Sequence, residues 1–157
     1  VNGHHDVAIY GHTGDIYEYG HVNLVLYRFK GFNENISIIE KRMPNDRKDG
    51  INLCQNRDGD AIRRVSDKFT RRKNVKLLIV ISDGAPEAHG YHGKSAQNDT
   101  LMAVKTVREK GIKVLSISIN DYATSTNDYI YGKEFNTSNE DSGVVIDVIS
   151  KVLLSQG

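Results

Sequence analysis

The apolar positions along the chain fall into two kinds of run. Asp6 to Tyr10 (DVAIY) and Val22 to Phe29 (VNLVLYRF) are short and rich in β-branched, aromatic and leucine side chains, the signature of strands. The first closes at the polar stretch GHTGD and the second at Gly31. A polar connection of about ten residues between them predicts a wide antiparallel hairpin. The segment ENISIIEKRM reads as a short helix stopped by Pro44, and PNDRKDG as loop.

From Gly59 the period becomes helical. Ala61, Ile62, Val65 and Phe69 share one face, Arg63, Arg64, Asp67 and Lys68 lie largely on the other, and Asp58 is placed to cap the helix. KLLIVIS, Lys76 to Ser82, is a continuous apolar run of the kind expected for a strand covered on both faces. Asp99 is placed to cap a helix carrying Leu101, Val104 and Val107, which Gly111 ends. Ile112 to Ile119 (IKVLSISI) reads as another strand, followed by a polar stretch with a short strand near Lys133 to Asn136. Asp141 or Ser142 caps a last helix bearing Val144, Val145, Val148, Val152 and Leu153. Strands alternating with amphipathic helices predict an α/β sandwich: a mostly parallel central sheet, helices on both faces, and the hairpin as an antiparallel edge.

Composition narrows the classes of function. A chain of 157 residues with 38% apolar and 26% charged positions suits a single soluble domain with its own core. A net charge of +1 gives no bulk attraction to nucleic acid or to an anionic membrane. The basic cluster of Arg71, Arg72 and Lys73 with Arg63 and Arg64 lacks interleaved aromatics and reads as solvated surface. No apolar run approaches the ~20 residues of a membrane span and no signal peptide is visible, so no membrane partner is expected. The single cysteine, Cys54, cannot form an internal disulfide, which fits a reducing, cytoplasmic setting.

Candidate chemistry gathers at the strand ends, where open parallel sheets form their ligand sites. Asp83 follows the apolar run directly. The cluster CQNRDGDAI precedes the helix leading into that same strand, so Asn56 and Asp58 belong to an adjacent loop. Two loops thus bring oxygen donors to one place, as a hard divalent cation requires. Asp83-Gly84 is equally a common turn pair, and Asp58 equally a helix cap. Asp15, Asp46, Asp60 and Asp121 read as turn, cap or solvated residues. Ser82, His12, His89 and His92 form a possible rim. The loop holding both His89 and His92 is long for a strand-to-helix connection. The pair His4-His5 before Asp6 reads as a terminal tail more readily than as a metal site.

The stretches NRDGDAIRRVSDKF and LLIVISDGAPEAHGYHGKSAQNDTLMAVKTVREKGIKVLSISI resemble the von Willebrand factor A (vWA) domain. Within it they are most similar to the intracellular bacterial branch, which includes the nitric-oxide-reductase activation protein and the cobaltochelatase subunit that work with MoxR-type AAA+ ATPases. The resemblance implies a Rossmann-like fold and a metal-ion-dependent adhesion site built from three loops. Asp83 matches the third loop. Asn56 occupies the second-loop position usually held by threonine, with Asp58 two residues on. The first-loop pattern, Asp-x-Ser-x-Ser, is absent from this sequence. With it the family's first, central strand and first helix have no counterpart, so residues 1–157 are expected to be the C-terminal part of a longer single vWA-like domain. The implied cofactor is Mg2+, or Mn2+ or Ca2+. The implied function is non-enzymatic: a partner's acidic residue completes the metal's coordination, and any catalysis belongs to a partner ATPase. The alternatives are a metal-free scaffolding domain with a degenerate site, and a metal-dependent hydrolase using Ser82 or His12.

Overall fold

A computed structural model of the chain describes residues 6–16, 22–42, 55–69, 75–138 and 142–154. Five strands and five α-helices run in the order β1 (Ile9–Ile16), β2 (Val22–Lys30), α1 (Ile38–Arg42), α2 (Asp58–Ser66), β3 (Leu77–Ser82), α3 (Gly93–Glu109), β4 (Lys113–Ser118), α4 (Asp121–Tyr131), β5 (Asn136–Ser138) and α5 (Ser142–Leu154) among these residues. β3, β4 and β5 form a parallel sheet flanked by helices, and β1 with β2 forms a separate antiparallel hairpin. The mixed α/β class is as expected. The single sheet with the hairpin as its edge is not, because no described ladder joins β1 or β2 to β3.

The hairpin also differs from its expected form. GHTGD is not a loop: β1 runs through it, pairing from Ile9 opposite Lys30 to Ile16 opposite Val22. Nine consecutive residues of β2 present backbone donors and acceptors, and extending β1 satisfies them where a loop would not. Gly11 makes this possible, since a Cβ there would lie 2.6 Å from the Phe29 ring. Helix α1 is then held against the end of β2 by Glu34. Its carboxylate accepts from the Gly31 amide at 2.6 Å and pairs twice with Arg42, at 2.6 and 2.8 Å.

One core lies between the parallel sheet and helices α2, α3 and α4. Ile62, Ala103, Val104, Val107, Val114, Ile130 and Tyr131 are buried there, with Leu78 and Val80 of β3 packed against them. These strand residues alternate with Ile79 and Ile81, which point the other way and are 38% and 69% exposed. The apolar run of β3 was expected to be covered on both faces. It is covered on one, where Leu78 and Val80 are partly buried, and α5 packs against β4 and β5 instead.

Three helix starts depart from the pattern reading. α3 begins at Gly93, with His92 at its N-cap, so Asp99 lies inside the helix and caps nothing. The early turns were hidden because the face they bury is made of small residues, Ala96, Thr100 and Ala103. Asp58 is the first helical residue of α2, not its cap. Residues 121–131, expected as irregular polar chain, form α4. Asn120 caps it by accepting from the Ala123 amide at 2.8 Å, and its buried face is Ala123, Asn127, Ile130 and Tyr131. The Asn127 amide donates to Ser118 Oγ at 2.9 Å and Ser118 Oγ donates to Asn136 Oδ1 at 3.0 Å, so a polar chain seats α4 on β4 and β5. β5 itself starts at Asn136, the last residue of the predicted stretch, and runs to Ser138. Ser142 opens α5, while Asp141, Pro44, Cys54, His4, His5 and residues 71–73 lie outside the described residues. Gly111 takes its expected place after α3, with φ +76°.

Candidate functional site

The turn after β3 is built by its own side chains. Ser82 is buried, and its Oγ accepts from the Gly84 amide at 3.0 Å. Asp83 Oδ1 accepts from the Ala85 amide at 3.1 Å, which bends the chain while leaving the carboxylate exposed. Gly84 has φ +75°, and a Cβ there would lie 2.7 Å from Cα of Ala123. Only glycine lets this turn rest against the start of α4.

The second loop arrives through Gln55. Its carbonyl accepts from the Gly14 amide at 2.6 Å and its side-chain oxygen from the His89 amide at 2.6 Å. The Asn56 amide donates to the Glu87 carbonyl at 2.6 Å. The loop preceding α2 is therefore bonded on one side to β1 and on the other to the loop after Asp83. Sequence patterning did not single out Gln55, because a backbone carbonyl and an uncharged amide carry no periodic signal.

Asp58 sits at this junction, 6% exposed. Burial, with the charge of Asp83 added, pushes its carboxyl up to about 6. Its nearest cationic candidate is His12 on β1, whose Nε2 lies 3.6 Å from Asp58 Oδ1. That is ion-pair distance but beyond a hydrogen bond. Burial also lowers the His12 pKa, so a neutral imidazole and a weak dipolar contact describe the pair better than a salt bridge. The other imidazole nitrogen, Nδ1, is buried and has no hydrogen-bond partner among the described residues.

The structure thus brings Asp58, Asp83 and His12 to one end of the sheet, with Asn56 and Ser82 on the adjoining backbone. His89 and His92 lie exposed on the long loop, His89 anchored by its amide and His92 at the start of α3. The donor set of two carboxylates from separate segments, one buried without an Arg or Lys partner among the described residues, fits a hard divalent cation. Among the described residues, no three His, Cys, Asp or Glu side chains stand close enough to hold an ion by themselves. None of the described helices is long and apolar enough to cross a membrane.

Half of the chain has recognisable relatives. It is 42% identical over 67 residues to the protein YojO of Bacillus subtilis, a stretch covering 42% of this chain and 10% of that protein. It is 30% identical over 79 residues to protein NorD of Brucella abortus, covering 49% of this chain and 12% of NorD. NorD of Brucella suis matches over the same length at 29% identity. The chain therefore shares partial homology with NorD and YojO, and the matched part spans about a tenth of the length of these relatives. No family model and no solved structure matches it.

Proposed function

We propose that this chain is a metal-ion-dependent protein-binding module of the vWA type. Asp83 and Asp58 would hold Mg2+, Mn2+ or Ca2+, directly or through water, with Asn56 beside them on the second loop. The bound ion would supply a Lewis-acidic position for a partner's carboxylate. The chain's own residues orient the two aspartates and keep water from one of them. The observation that carries this reading is Asp58: a carboxylate buried at a sheet end, within reach of the Asp83 charge and with no Arg or Lys partner among the described residues. Such a group is costly alone and stabilised by a divalent ion. The partial homology to NorD is in keeping with a setting in an activation complex; the MoxR-type AAA+ ATPase as partner class and a cytoplasmic location are carried over from the vWA resemblance alone.

The chain is also read as part of a longer domain. The free edge of β3 among the described residues supports completion of the sheet by a further strand, and the exposed Ile79 and Ile81 support a further layer over that face. A second reading, a metal-free scaffold, draws on one specific observation: no three ligands converge among the described residues.

A thermal melt separates the two. With EDTA replaced by Mg2+ or Mn2+, the first reading expects a rising midpoint, equivalent to ~2.7 kcal/mol at a hundredfold excess over Kd. Asp83→Ala abolishes that rise. A cooperative melt indifferent to both ions leaves the scaffold.

A further inference from the structure

A closed ring of side chains surrounds Gly59, the residue after Asp58. The Tyr91 hydroxyl donates to Asp99 Oδ2 at 2.9 Å. Arg63 grips Asp99 at 2.6 and 3.2 Å and reaches Asp60 at 3.2 Å. Arg57 donates to Asp60 at 2.6 Å, and its guanidinium returns to the start of the ring, 4.7 Å from the centre of the Tyr91 ring. The members come from the N-cap and first turns of α2, from α3 and from the end of the loop that begins at Asp83. The ring lies around a glycine: a Cβ on Gly59 would collide with the Asp99 carboxylate and stand 3.1 Å from the Tyr91 hydroxyl.

α2 has no side-chain cap of its own. The Gly59 amide, one residue past Asp58, donates instead to the Tyr91 hydroxyl oxygen at 3.4 Å. A single buried hydroxyl therefore accepts from the helix that carries Asp58 and is covalently part of the loop that carries Asp83. Asp99 and Arg63 fix where that hydroxyl points. Two further bonds, Asn56 amide to Glu87 and His89 amide to Gln55, tie the same loops nearer their tips. Of the three, only the Tyr91 contact reaches the helix beside Asp58.

We infer that Tyr91 is a positioning residue for the Asp58–Asp83 site: its hydroxyl, aimed by Asp99 and Arg63, sets the placement of the first turn of α2 relative to the turn after β3. This rests on the metal-binding reading for its functional consequence. Groups that orient ligands without touching the ion typically change metal affinity 10–100-fold when lost.

The test uses the full 157-residue chain, Mn2+ as the probe, and two variants, Tyr91→Phe and Thr100→Val. Thr100 shares the same buried cluster, 3.1 Å from the Tyr91 hydroxyl, but among the described residues its own hydrogen bonds run to Tyr91 and to the Ala96 carbonyl and not to α2. Two readouts are taken: Mn2+ affinity by titration, and hydrogen exchange of the Gly59 amide by NMR. Tyr91→Phe should speed Gly59 exchange and weaken Mn2+ binding 10–100-fold. Thr100→Val should lower the melting midpoint while leaving Mn2+ affinity within about twofold. Equal loss of affinity in both variants overturns the inference, because general loosening then accounts for it. Unchanged Gly59 exchange in Tyr91→Phe also overturns it. If the unaltered chain takes up no Mn2+, the metal reading fails by itself. The exchange result then decides whether Tyr91 holds the two loops together.

Discussion

The layer beneath the parallel sheet and the end of that sheet are built by the same strands and obey opposite rules. Beneath the sheet, Leu78, Val80 and Val114 meet Val104, Val107 and Ile130, and the buried side chains there are apolar except for the hydroxyl of Tyr131. At the end of the sheet, Asp58 and Ser82 are withdrawn from water although each carries polar atoms, and His12 is partly buried beside Asp58. The first region stabilises the fold by leaving water. The second subtracts from that stability, and the difference between them marks where the molecule has been arranged for something other than folding.

The largest effect should come from breaking the apolar layer. Ile130→Ala removes a side chain only 2% exposed and should cost about 2–5 kcal/mol in denaturant unfolding. A loss below ~1 kcal/mol would mean the layer is looser than it looks.

The strand-tip region should respond to pH in the opposite sense to a salt-bridged carboxylate. Asp58 titrates near 6 when folded against an ordinary value of 3.8, so the folded chain holds this proton more tightly than the unfolded one. Stability from this group is present in full below pH 3.8 and is lost as pH rises through 6. A rise of roughly two pH units, at about 1.4 kcal/mol each, makes the effect on the order of 3 kcal/mol. In EDTA, Asp58→Asn should flatten this slope and raise the melting midpoint at pH 7. If the variant melts lower than the parent at pH 7 without metal, the carboxylate is stabilising and the contrast between the regions fails.

The smallest effect should come from the open face of β3. Ile81 is 69% exposed, and Ile81→Ser should change stability by no more than about 0.5 kcal/mol. Paired with Ile130→Ala, it measures how unequal two nearby isoleucines can be.

These regions were also unequally legible in the sequence. The apolar layer was readable because its periodicities are strong: LLIVIS and KVLSIS are strands where expected, and Ala61 and Ile62 face inward from α2. The extent of burial was not, since a run of apolar residues states what a strand can tolerate and not what covers it. α4 escaped because its inward face includes Asn127, whose burial is satisfied by Ser118, a partner known only once β4 is in place. At the strand tips, Asp58 and Asp83 stood out through their position after or before apolar segments. Tyr91, Asp99 and Gln55 did not, because their roles consist of bonds to segments 8 to 42 residues away. Asp99 looked like a cap for the same reason that it is not one: its local surroundings say nothing about Arg63.

The order of strands has a consequence for how quickly the chain can find its structure. Among the described residues β1 pairs with β2, β3 with β4, and β4 with β5, each with the next strand along the chain. No ladder waits for a segment from the far end, so loop-closure entropy enters in short instalments. The hairpin and the parallel sheet can each begin from their own local contacts. Joining them falls to contacts such as the bonds of Gln55 to Gly14 and His89 and the packing of Phe32 on Phe69, which makes the region around Asp58 a late seam in assembly.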